Sequence, residues 1–218
     1  MERREPPIRH LIVLGHPGPD GFNHAVAAAY GDAVRACGQE AVLRDLYSLG
    51  FDPRLTAAER SASGQGTPGD DVKVELDLIR DCEVIALVYP IWFGMPPAII
   101  KGYVDRVLGA GFAAANLMAG APSALLHGKR LIMFSSSAST RPWLEEQGQF
   151  QGLRQAFDLY LQTAFGFRET RHVHFDAVVE GGKAHYVDEC LASVEEAARQ
   201  LCATLLYERR HARFERPA

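Results

Sequence analysis

Two hydrophobic periods alternate along the chain. Leu11-Ile12-Val13-Leu14 is a short unbroken apolar run ending in Gly15-His16-Pro17-Gly18, the pattern of a strand buried on both faces. Phe22, Val26, Ala29, Tyr30, Ala33, Val34 and Cys37 then recur at steps of three and four, which predicts an amphipathic helix stopped by Gly38. Ala41 to Leu46 reads as a second strand, Val72 to Arg80 as a helix, and Val84 to Tyr89 as the strongest strand of the chain. The next helix carries Ile99, Ile100, Tyr103, Val104 and Val107 on one face. Leu131 to Phe134 is a fourth buried strand. Leu153, Ala156, Phe157, Tyr160 and Ala164 mark a fourth helix, and Val187 to Leu205 the last one. Between those two helices residues 168–175 alternate, His172 and His174 against Val173 and Phe175, as a half-exposed edge strand does. This predicts that both histidines face solvent. No further metal ligands stand near them in sequence.

Five strands alternating with five helices argue for an α/β fold, an open parallel sheet with helices on both faces. Residues 1–218 read as a single domain. Within it, residues 51–71 form a surface excursion with a small helical patch at Thr56 to Arg60, and residues 208–218 form a basic C-terminal tail. In such sheets ligands bind outside the carboxyl ends of the strands, where strand order reverses. Three loops therefore matter most: His16 to Asn23, Pro90 to Pro97, and Ser135 to Thr140.

Composition narrows the function classes. The chain is 47% hydrophobic and 23% charged, ordinary globular values, with a net charge of −4. It has no overall electrostatic footprint for nucleic acid or an anionic membrane. Cys37, Cys82, Cys190 and Cys202 show no paired spacing, as expected of small hydrophobes in a reducing compartment. Met1 to Pro7 is charged and no apolar run reaches the length of a membrane span, so neither a secretory signal nor membrane insertion is read, and the expected location is cytoplasmic.

Each loop admits two readings. His16 to His24 joins a strand to a helix, and a helix N-terminus binds phosphate through free backbone N–H groups. Gly18 and Gly21 permit close approach, while His16 and Asn23 can donate hydrogen bonds. The spacing is neither G-x-G-x-x-G nor a P-loop, and Asp20 could equally be an N-cap on a plain turn. Trp92 and Phe93, between Pro90 and Gly94, offer a flat apolar wall, or pack on the next helix or a second subunit. The serine-rich third loop suits contacts beneath a planar ligand, or is an exposed turn.

Taken in order, Leu14-Gly15-His16 with Gly21-Phe22-Asn23, Asp45-Leu46-Tyr47 with Phe51-Asp52-Pro53, the run from Tyr89 through Trp92-Phe93-Gly94-Met95-Pro96-Pro97 to Val107, and Gly111-Phe112-Ala113 resemble the flavodoxin-fold NAD(P)H quinone reductase family. That family includes DT-diaphorase, modulator-of-drug-activity and azoreductase-like enzymes. The likeness is strong over residues 9–140 and weak beyond. It implies a flavodoxin-like five-stranded sheet of order 2-1-3-4-5. It also implies FAD or FMN as cofactor, NADH or NADPH as hydride donor, and a quinone-like acceptor reduced by two-electron transfer in a ping-pong cycle. A homodimer with sites at the interface is implied as well. By the same resemblance His16, Gly21, Phe22 and Asn23 contact the flavin phosphate. Pro90, Ile91, Trp92, Phe93 and Gly94 border the ring, and Ser135, Ser136, Ser137 and Ala138 run along its pyrimidine side. Phe112, Trp92 and Trp143 line the substrate pocket, Phe112 in the other subunit. Where mammalian members carry a Tyr and a His that assist charge and proton transfer, this chain has Trp143 and Gln149, neither a general acid near neutral pH. A pocket tyrosine is replaced by Ala114. Two other functions are compatible with the likeness: a flavin-binding ancillary subunit of a potassium-efflux system, and a flavodoxin-type electron carrier. The modest −4 charge and the Gly111-Phe112-Ala113 segment argue against the carrier.

Overall fold

Five parallel strands lie side by side in the order β2-β1-β3-β4-β5: β1 (Arg9–Leu14), β2 (Glu40–Asp45), β3 (Val84–Pro90), β4 (Arg130–Ser136) and β5 (Glu169–Phe175). These coordinates are a computed structural model that describes residues 6–60, 66–113, 115, 118–120 and 123–214, the side chains of 212–214 excepted. Because β1 sits between β2 and β3, the chain turns outward in both directions from the gap between β1 and β3. The carboxyl ends on either side of that gap are level: Leu14 pairs with Val88, and Ser136 with Pro90 and Phe175.

Unbroken apolar runs put alternate side chains into two cores. Leu11, Val13, Ile85, Leu87, Leu131 and Met133 face a layer built from α2 (Asp70–Arg80), α3 (Ala98–Tyr103) and the helical run that begins with α5 (Gln149–Leu153). Ile12, Leu14, Val84, Ala86, Val88, Ile132 and Phe134 face α1 (Phe22–Ala36) and the long terminal helix. Gly15 is where β1 must let α3 in, since a Cβ there would lie 2.5 Å from Ile100 Cγ1.

Several sequence expectations need correction. The third helix widens after Tyr103 into a π-helical segment, Val104–Leu108, and the fourth does so at Arg154–Leu159 before α6 (Tyr160–Phe165). A further helix, α4 (Arg141–Glu146), has Pro142 in its first turn, a helix-start signal that apolar periodicity alone passed over. Thr56 to Arg60 is one turn closed by Arg60 N donating to Thr56 O (3.1 Å), not a helix. The terminal helix α7 (Ala184–Phe214) continues through residues 208–214, so that part of the expected tail is helical. Residues 61–65 of the excursion, Ala114, and residues 215–218 lie outside the described residues.

The excursion is held down by Arg106, which rises from the first π-helical segment. Its guanidinium meets Glu59 (2.7 Å) and Asp71 (2.7 Å) and also donates to Asp52 O, with Arg106 and Glu59 both 5% exposed. At Gly102 a Cβ would fall 2.3–2.4 Å from Pro53 atoms, so the excursion lies directly on α3. Cys82, Cys190 and Cys202 are buried and free, and Cys37 is half-buried.

Candidate active site

A cavity of about 560 Å³ opens at the gap between β1 and β3, within the size range of cofactor sites. His16, Gly21, Phe22 and Asn23 line it from the first loop, Pro90, Ile91 and Trp92 from the second, and Ser136, Ser137 and Ala138 from the third. Asp20 joins them but caps nothing. The N-cap of α1 is Gly21, at φ +147°, with no side-chain cap and no acidic residue in the first turn. The 15-residue helix therefore presents free N–H groups and its positive end to the cavity. Asn23 Nδ2 donates to Ser136 Oγ (3.1 Å), tying the first loop to the end of β4. Ile91 N donates to Ser136 O (2.7 Å), tying in the second. Behind the first loop, His24 stacks edge-on against His16 at 5.7 Å, and its Nε2 lies 3.5 Å from Asp45 Oδ2.

The second loop is a tight hairpin. Trp92 and Met95 exchange backbone hydrogen bonds (3.0 and 3.1 Å) around Phe93 at φ +51° and Gly94 at φ +82°. Two consecutive positive φ angles are what such a turn requires; Gly94 supplies one at no cost, Phe93 does not. The Phe93 ring is fully exposed at the tip and does not line the cavity, and neither does Gly94. Gln149 reaches this hairpin, its Oε1 lying 3.9 Å from the place of a Cβ on Gly94. Trp143 projects from α4, 47% exposed.

Ser135 points the other way. It belongs to β4, and its hydroxyl lies 2.6 Å from His172 Nε2 and 2.9 Å from His174 Nδ1, on the face opposite Asn23. This overturns the expectation that those histidines face solvent. The His172 side chain is 4% exposed and pairs with Asp158 at 2.7 Å, while burial and the neighbouring His172 hold His174 down at about 4, so it is neutral. A period of two cannot distinguish a solvated face from a polar layer satisfied by its own neighbours.

Sequence reasoning missed the loop after β5. Val178, Val179 and Glu180 complete the cavity wall, and Val178 N and Ala177 N donate to Ser137 O (2.9 Å) and Ser139 O (3.1 Å). Ala177 takes φ +52° there. The only signal was position, since this loop also leaves the carboxyl rim of the sheet. Phe112 lies elsewhere. It packs edge-on against Phe165 at 5.5 Å and lines a second cavity of about 550 Å³ with Phe157, Tyr160 and Leu161, which shares no lining residue with the first.

Sheet order, the switch-point cavity and the open helix end together define a flavodoxin-like protein. Residues 8–203 match the family described as "Flavodoxin-like fold", and the chain belongs to that family. Within it, the chain is 31% identical over 201 residues to an uncharacterized NAD(P)H oxidoreductase of Haemophilus influenzae, covering 91% of this chain and 96% of that one. It is 32% identical over 123 residues to rat NAD(P)H dehydrogenase [quinone] 1, a match spanning 48% of this chain and 44% of the relative. Among solved structures, the NAD(P)H:quinone oxidoreductase of Methanothermobacter marburgensis superposes with TM-score 0.74 at 22% identity, over 90% of this chain and 96% of that one. An FMN-dependent NADH-azoreductase of Bacillus anthracis, solved with FMN, superposes with TM-score 0.64 at 17% identity, over 89% and 99%. Among the described residues no helix is long and apolar enough to cross a membrane.

Proposed function

We propose that this chain is an NAD(P)H oxidoreductase that holds a flavin nucleotide in the switch-point cavity and reduces quinones or similar electron-poor aromatics. The observation that carries this reading is the uncapped N-terminus of α1 opening into a cavity walled by all three rim loops. The residues present fit a flavin: Gly21 leaves room at the helix end for a phosphate, since a Cβ there would meet only His16 Cε1 at 3.9 Å. The cavity volume suits a tricyclic ring.

In this reading the N–H groups of α1, with His16 and Asn23, hold the phosphate. Trp92 and Ile91 wall the ring, and Ser136, Ser137 and Ala138 run along its polar edge. A flavin bound there would supply two-electron chemistry between NAD(P)H and an acceptor using the same slot in turn. Trp92 and Trp143 position donor and acceptor, since hydride transfer needs reacting atoms about 3–3.5 Å apart. Phe112, on a separate cavity of the same chain, serves the site of a second copy in a homodimer, and the exposed Phe93 tip belongs to that contact.

The test is direct. The purified protein is expected to be yellow, or to become so with FMN or FAD, and to oxidise NADH or NADPH when 1,4-benzoquinone is supplied. Release of the chromophore and its mass identify the nucleotide. Protein that takes up neither flavin overturns the reading.

A further inference from the structure

On the face of β4 turned away from Asn23, five side chains form one continuous hydrogen-bonded chain that the proposed function does not use. Asp158 Oδ2 lies 2.7 Å from His172 Nδ1, and His172 Nε2 lies 2.6 Å from Ser135 Oγ. Ser135 Oγ lies 2.9 Å from His174 Nδ1, and His174 Nε2 lies 3.1 Å from Ser137 Oγ. Ser137 in turn donates to Ser139 O at 2.9 Å. Asp158, His172 and Ser135 are buried. Ser137 alone of the five lines the cavity. The first three members have the composition of a hydrolytic triad, yet Ser135 is 1% exposed and no substrate can reach it.

Counting donors fixes where the protons are. A carbonyl only accepts, so the Ser137 hydroxyl is spent on Ser139 O and must accept from His174 Nε2–H. His174 is neutral, so its Nδ1 is bare and takes the Ser135 hydroxyl proton. Ser135 must then accept from His172 Nε2–H. The last link, His172 Nδ1 to Asp158 Oδ2, needs one more proton than a neutral imidazole and an ionised carboxylate carry between them. The pair holds that proton, whichever partner it sits on. The other groups acting on this chain are Arg141, Asp176 and the Ser135 backbone near His174 and the Tyr89 ring near His172, with Phe150 covering both imidazoles.

We propose that the Asp158–His172 pair stores one proton and that Ser135, His174 and Ser137 relay it into the cavity, to the oxyanion that a quinone-class acceptor becomes on receiving hydride. The assignment rests on the reading of the cavity given above and fills the role that Trp143 and Gln149 are chemically unable to take. The step balances. Ser137 turns its hydroxyl from Ser139 O to the acceptor oxygen, gives up that proton and takes one from His174 Nε2. His174 Nδ1 takes the proton of Ser135, and Ser135 takes the one on His172 Nε2. One proton leaves through Ser137, no electron moves, and His172 remains neutral with Nδ1–H facing an ionised Asp158. Water in the open cavity returns the proton before the next cycle. Asp158, His172 and His174 are positioning residues in this scheme, since only Ser137 meets the acceptor.

Nitrogen NMR of the ¹⁵N-histidine-labelled full chain at neutral pH tests the store without any turnover, with His172→Gln and His174→Gln supplying the assignments. The expected result is protonated Nε2 on both rings and bare Nδ1 on His174; a bare Nε2 on His172 overturns the proposal. Stopped-flow reduction of 1,4-benzoquinone then tests the relay. Asp158→Asn keeps the shape but removes the stored proton. It is expected to slow the acceptor half-reaction roughly 100-fold, more than the donor half, with recovery as imidazole buffer is raised. His174→Gln, which cuts the relay elsewhere, is expected to slow it likewise while His172 keeps its Nε2 proton. An acceptor half-reaction as fast as native in both variants, or a loss that buffer does not restore, overturns the relay. Failure to bind flavin with the NMR pattern intact would instead remove the functional reading and leave the store standing.

Discussion

Phe93 keeps a left-handed backbone that costs an L residue about 1–2 kcal/mol, and its ring is fully exposed. Strain held at a cavity rim points to use rather than to folding. Phe93→Asn, which accepts that conformation more readily, is therefore expected to raise stability by about 1 kcal/mol and to raise the acceptor KM, read by thermal melts beside steady-state kinetics. A stability loss would show that the ring is already packed in the free protein. Trp143 is half-exposed on a short helix and is not in the cavity wall. Trp143→Ala is accordingly expected to change the ranking of quinone acceptors several-fold with flavin retained. Loss of flavin with unchanged ranking would place the indole against the cofactor.

Among the elements, α1 gains its chemistry from what its first turn lacks. With Gly21 as cap and no acidic side chain in its first turn, the helix presents its positive end there. Asn23→Asp adds a negative charge there and alters the link to Ser136. It is expected to weaken flavin binding roughly 10-fold, about 1.4 kcal/mol, measured by fluorescence titration. Binding as tight as native would mean the phosphate sits elsewhere. The π-helical segments matter in a different way. Arg106 and Asp158, two charged residues that reach inward, each occur in one. Arg106→Ala strands Glu59 as a buried unpaired carboxylate and frees the excursion. The expected loss is about 3–5 kcal/mol by denaturant midpoint, and a loss under about 1 kcal/mol would show that the excursion is not anchored there.

For the whole molecule, acid sensitivity follows from two buried links between layers. His10 of β1 bonds Tyr30 OH and Gln39 Oε1, each at 2.8 Å, and Gln39 Nε2 donates to Cys202 O on α7. Burial holds His10 down at about 4 against an ordinary 6.5. The unfolded chain therefore takes up a proton between those values that the fold refuses, and stability present above pH 6.5 is lost as pH falls toward 4. Glu59, held at about 2 by the Arg106 hydrogen bond, extends the loss below pH 4.5, where the free carboxyl protonates first. Melting temperature is expected to fall steadily from pH 7 to pH 4. His10→Gln should flatten the upper part of that slope, leaving the share of His174; an unchanged slope would remove His10 from the account.

The strands, the first helix and the rim loops were legible in the amino-acid order because each depends on local rules. An unbroken apolar run must be covered on both faces, and a loop leaving such a strand must reach the rim. His16, Asn23, Trp92 and Ser136 were identifiable on that basis. Ser135, Asp158, His172 and His174 were not, since polar side chains spaced for a solvated edge become a sealed layer only when another element closes over them. The same holds for Arg106, which reads as an ordinary surface charge until the excursion folds back with Glu59. Periodicity reports which side of an element a residue takes; what stands on that side is decided by packing between segments far apart in the chain, and there the hydrogen bonds and the ionisation were settled.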